Sequence, residues 1–80
     1  MTGSKILNIA IDKYMALEEN FAVDERKLNK VVANRYGVGP GTLRSWRINR
    51  TSIKFDDLNG IVEMLGFKLT DLINELELKQ

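Results

Sequence analysis

Arg26, Lys27, Lys30, Arg35, Arg44, Arg47, Arg50 and Lys54 succeed one another through the middle of the chain, and no aspartate or glutamate falls between the first and the last of them. Fixed positive charge of that density attracts polyanions. The formal net charge of +1 conceals it. Residues 1–23 carry two lysines and three acids, for −1; residues 24–54 carry eight Lys/Arg and two acids, for +6; residues 55–80 carry two lysines and six acids, for −4. An unevenly charged solvated surface would have the same tally, so charge alone does not decide. Other chemistries are thinly represented. Histidine and cysteine are absent, which removes the commonest general base, the commonest metal ligand, thiolate metal sites and disulfides. The clustered carboxylates, Asp24-Glu25 and Asp56-Asp57, fall where helices should begin, and the helix dipole accounts for them there. The residues therefore point to a binding protein with no catalytic residue, metal site or cofactor, and to no evident small-molecule ligand.

The elements that position these bases follow from periodicity and punctuation. Eighty residues make one domain, spanning 1–80, and 44% hydrophobic residues suffice for a single core. One proline and few β-branched runs favour an all-α fold. No apolar run approaches the roughly 20 residues of a membrane span, and the N-terminus lacks the pattern of a signal peptide, so a cytoplasmic protein without membrane contact is expected. A first helix is expected from about Ser4, as its cap, to Glu19, with Leu7, Ala10, Ile11, Tyr14 and Leu17 as its stripe and Ile9 and Ala16 on the far side. A second runs from about Asp24 to Tyr36, capped by Asp24, closed by Gly37, and apolar at Leu28, Val31, Val32 and Tyr36. A third covers about Pro40 to Asn49. A fourth runs from about Phe55 to Leu65 and stops at Gly66; Phe55, Leu58, Ile61, Val62 and Leu65 are its buried positions, and Gly60 marks close packing. The fifth starts near Thr70, carries Leu69, Leu72, Ile73 and Leu76, and frays along its "ELELKQ" tail.

The second and third helices are joined by Gly37-Val38-Gly39 alone. A short glycine-bearing turn between two helices is a helix-turn-helix unit. Pro40 starts the third helix rather than breaking one, because its missing N–H is not needed at the first position. At 100° per residue, Leu43 and Trp46 face the core while Gly41 and Ser45 point outward, flanked by Thr42 and Asn49 on one side and Arg44 and Ile48 on the other. Such a small, polar, basic face suits a helix lying in the major groove of DNA. Arg44, Arg50, Lys54 and Lys30 are placed to reach phosphates around it.

The stretch "VVANRYGVGPGTLRSWRINRTSIKFDDLNGIVEMLGFKLTDLI" resembles the DNA-binding domain of phage lambda-type repressors and Cro proteins, the XRE-type helix-turn-helix family. Ala33, Gly37, Val38, Leu43, Trp46, Leu65-Gly66, Leu69 and Leu72 carry the likeness, over about Leu28 to Ile73. It implies a compact four- or five-helix lambda-repressor-like domain that binds operator double-stranded DNA as a homodimer and acts as a phage- or mobile-element-type repressor. Base contacts then fall at Pro40, Gly41, Thr42 and Ser45, with a phosphate contact at Asn29 or Lys30. Two departures stand out. Pro40 and Gly41 occupy places where the family often has long polar side chains, and neither can donate a hydrogen bond to a base. Readout then rests on Thr42, Ser45, Arg44 and Asn49. Arg47 stands where the family commonly has glutamate. It either pairs with an acid, Glu18 and Glu19 being on offer in helix one, or reaches a phosphate. Ile9, Ile73, Leu76 and Leu78 exceed what a monomer core needs and are the expected dimerisation residues. The rival reading is a small phage-type protein-binding module, an antirepressor or anti-defence protein, on the same scaffold. RNA is less well matched, since no exposed aromatic accompanies the bases.

Overall fold

Local chemistry sets the helix ends. In the computed structural model, which describes residues 3–17 and 24–78, Asp24 is extended (φ −71°, ψ 161°), and its carboxylate accepts the Lys27 backbone N–H at 3.0 Å. That hydrogen bond holds the Asp24 carboxyl below its ordinary pKa. Gly37 takes the left-handed conformation (φ 93°), and the N–H groups of Gly37 and Val38 both donate to the Ala33 carbonyl, closing the preceding helix. Gly39 is the extended residue before the next helix, and Pro40 is its first residue.

The described residues form five α-helices and no strand: α1 (Gly3–Ala16), α2 (Glu25–Tyr36), α3 (Pro40–Arg47), α4 (Phe55–Met64) and α5 (Leu69–Leu78). None of these helices is long and apolar enough to cross a membrane. The protein is all-α. α1 packs on α3, α4 and α5, whereas α2 packs on α3 and α4. The core therefore gathers around α1: Leu7, Ala10, Ile11, Leu28, Val32, Leu43, Ile61 and Val62 are sealed from solvent. Trp46 is half-buried and packs against this core, on the side its phase with Leu43 predicts.

Several expectations need correction. Ser4 is not a cap; it lies inside α1 and is buried. α1 ends at Ala16, and Leu17 beyond it is exposed. On α2 the covered face is turned toward Ala33, which is sealed, and away from Val31, which is 45% exposed. Phe55, the first residue of α4, is 64% exposed. α3 stops at Arg47, and Asn49 then adopts φ 60°, a left-handed turn that asparagine tolerates better than most side chains. α5 is helical through Leu78, and the last two residues of the "ELELKQ" tail lie outside the described residues. Glu18, Glu19 and the side chain of Glu25 lie outside the described residues.

Gly60 is needed for the approach of α2. A Cβ there would stand 2.9 Å from the Tyr36 ring and 3.0 Å from its hydroxyl. The Tyr36 hydroxyl donates to Asp57 Oδ1 at 2.7 Å, in the acidic first turn of α4. That bond, followed by burial and the charges of Asp57 and Asp56, raises the Tyr36 pKa above 10.0. Across the molecule, Lys13 and Glu75 pair at 3.0 Å between α1 and α5, a partly exposed contact of small worth.

Candidate nucleic-acid interface

Three helix faces meet around one open cleft of about 770 Å³. α2 contributes Arg26, Asn29 and Lys30, at the i, i+3, i+4 spacing that places side chains on one face. α3 contributes Pro40, Gly41, Arg44, Arg47 and Ile48 just past its end, and α1 contributes Asn8 and Asp12. Lys30, Arg44 and Arg26 are exposed at its rim. Among the described residues, the cleft therefore joins four bases from two helices, with Asp12 as the one acid in its lining.

The floor is a ladder of side chains. Arg47 Nε donates to Asn8 Oδ1 at 2.7 Å, and Arg47 Nη1 donates to Asn29 Oδ1 at 2.7 Å. Asn8 Nδ2 in turn donates to the Arg47 backbone carbonyl at 3.0 Å, satisfying an acceptor that the end of α3 leaves open. One guanidinium thus ties α1, α2 and α3 together. Its side chain is only 10% exposed. Asp12 stands 3.9 Å from Arg47 Nη2 but is 73% exposed, so solvent screens this pair.

Arg47, expected either to pair with an acid or to reach a phosphate, has its guanidinium bonded to Asn8 and Asn29 and its side chain largely covered. Two amides, Asn8 and Asn29, accept from it, and Asp12 is the acid nearest to it among the described residues. Of the expected phosphate contacts, Lys30 and Arg44 are exposed at the cleft, Asn29 is half-buried within it, and Arg50 and Lys54 are exposed on the 48–54 connection outside its lining. Of the expected base-facing residues, Pro40, Gly41 and Thr42 are exposed at the start of α3 and Ser45 is half-buried. Asn49 is exposed but off the helix, so its side chain does not follow the α3 register from which it was read. The Ser45 carbonyl accepts from the Arg50 and Thr51 N–H groups at 2.8 and 3.4 Å, which folds the connection back onto α3.

The expected dimerisation residues differ in exposure. Ile9, Ile73 and Leu76 are partly buried against the core, where α1 meets α5, and only Leu78 is largely exposed, at 86%. Sequence reasoning missed Asn8, Asp12 and Arg26 as members of the cleft. A signal existed: Asn8 and Asp12 are polar residues four apart on one face of α1, and Arg26 shares the face of Asn29 and Lys30. No protein-family model, curated protein sequence or solved structure matches the chain.

Proposed function

We propose that this chain is a non-catalytic, sequence-specific DNA-binding regulator, a phage- or mobile-element-type repressor that reads operator DNA through α3 in the manner of the helix-turn-helix family it resembles. The observation that carries the reading is the cleft. Exposed Arg26, Lys30 and Arg44 surround it, and its edge is the small, exposed start of α3 at Pro40 and Gly41, followed in sequence by exposed Thr42. A duplex needs that combination: positive charge for the two backbones and a slim helix face that can approach base edges. Arg50 and Lys54 extend the positive border along the 48–54 connection. Thr42 is the best-presented donor for a base, while Pro40 and Gly41 allow close approach, so much of the specificity rests on DNA shape and half-site spacing. The regulator acts as a homodimer on two half-sites about 34 Å apart, with a pairing surface that includes exposed Leu78 and the uncovered parts of Ile9, Ile73 and Leu76.

A second reading, a protein-binding module, draws on Val31, Ile48 and Phe55, which are 45%, 57% and 64% exposed. Fluorescence anisotropy of a labelled duplex separates the two. DNA binding predicts that the logarithm of affinity falls with the logarithm of salt by roughly 0.9 per phosphate contacted. Arg44→Ala should lower that slope by about one unit and weaken all sequences alike. Absence of duplex binding at low salt, with the folded wild-type chain, would leave the protein-binding reading in its place.

A further inference from the structure

The cleft holds one polar group whose direction is dictated and whose hydrogen-bonding capacity is unspent. Arginine has donors and no acceptor. The 2.7 Å contact from Arg47 Nη1 therefore commits Asn29 to present its carbonyl oxygen to Arg47. The amide Nδ2 of Asn29 must lie on the other side, and it has no partner among the described residues. Asn8 shows the contrast, because it makes contacts with both ends: its oxygen accepts from Arg47 Nε and its nitrogen donates to the Arg47 carbonyl. Asn29 is half-buried, lines the cleft, and is flanked on its own helix face by Arg26 and Lys30, with Arg44 across from them on α3. Two amide N–H donors in such surroundings call for an anionic oxygen.

We infer that Arg47 is a positioning residue that locks the Asn29 amide as a donor to a DNA-backbone phosphate seated in this cleft. The inference rests on the DNA-binding reading and adds to it the means by which the contact is oriented. Arg47 spends its own charge inside the protein. What it supplies to the ligand is the direction of a neutral donor. That donor sits on α2, so the contact fixes how α3 is seated on the duplex and carries no base information itself. Being neutral, it adds affinity without releasing a counterion, unlike Arg44 at the rim.

The decisive variant is Asn29→Asp. It keeps the size of the side chain and keeps an acceptor for Arg47, now charge-assisted, so the ladder survives. It removes both N–H donors. Asn34→Asp serves as the control, because Asn34 is exposed on the same helix but absent from the lining of this cleft. Affinity for a labelled 20-base-pair duplex and the melting curve are measured for both. The expected result is a loss of about threefold or less for Asn34→Asp, from charge alone. For Asn29→Asp it is a loss of about tenfold or more beyond that, with a melting temperature equal to or above that of the wild type. Arg47→Lys keeps the charge but not the fork. Its effect on affinity should overlap with that of Asn29→Ala, so that the double variant is no weaker than the worse single one. Equal affinities for Asn29→Asp and Asn34→Asp, or full additivity of Arg47→Lys and Asn29→Ala, would overturn the inference while leaving the DNA-binding reading standing. A wild-type chain that binds no duplex overturns both.

Discussion

Two of the polar junctions that α2 makes end differently. Against α4, the single donor of Tyr36 goes to Asp57, the ring lies against the place where a Gly60 side chain would be, and the neighbouring charges, Asp56 and Asp57, are negative. Against α1 and α3, Arg47 satisfies two asparagines, yet Asn29 retains its donors and the surrounding rim is positive. The first junction is closed and acts only within the fold. The second is left with unspent donors under a positive field, and that leftover is what the proposed phosphate contact draws on. Buried or half-buried polar side chains are therefore informative about function when their hydrogen-bonding capacity is counted to the end.

The comparison can be broken at either junction. The largest effect on stability is expected from Arg47→Met, which leaves Asn8 and Asn29 oxygens without their donor; about 2–4 kcal/mol should be lost in chemical denaturation. Gly60→Ala comes next. Its methyl group would meet the Tyr36 ring, and a loss of about 1–3 kcal/mol is expected, with DNA affinity unchanged while the chain is folded. Tyr36→Phe should cost about 1 kcal/mol and likewise spare DNA binding. It also carries a pH signature. The Tyr36 pKa is raised in the fold above 10.0, so its stabilising contribution is complete below that value and is lost as pH climbs through the higher folded pKa. Melting temperatures of the wild type and Tyr36→Phe should therefore converge above pH 10; a gap that stays constant there would show that the hydroxyl is not held by Asp57. The smallest effect belongs to Asp12→Asn. Removing the acid from the cleft lining should tighten duplex binding by about two- to fivefold at low salt, an advantage that fades as salt screens it. Weaker binding by this variant would mean that Asp12 supports the ladder more than it repels phosphate.

The sequence carried the helix ends well, because capping and left-handed turns are set by residues in immediate succession: Asp24, Gly37, Pro40 and Gly66 all act where they were placed. It carried the width of the buried faces poorly. Periodicity fixes a direction around a helix, but which edge is covered depends on how the neighbour crosses it, so Val31 was exchanged for Ala33 and Phe55 was left exposed. The apolar surplus of α1 and α5 was legible, but the partial burial of Ile9, Ile73 and Leu76 was not, because nothing local shows that these two helices pack on each other. The positive border of the cleft could be read from charge spacing. Its floor could not. Arg47 is bound by amides at sequence separations of 39 and 18, and a search for charged partners passes over them.

The central claim is that duplex DNA lies across the cleft and the start of α3, not across the acidic α4–α5 side. Backbone amide shifts of the folded, isotope-labelled chain, followed while an unlabelled duplex is titrated at low salt, test it most directly. The account predicts perturbations concentrated at residues 26–30, 40–45 and 48–54, with α5 and the second half of α4 almost unmoved. Perturbations centred on α5, or none anywhere, would contradict it.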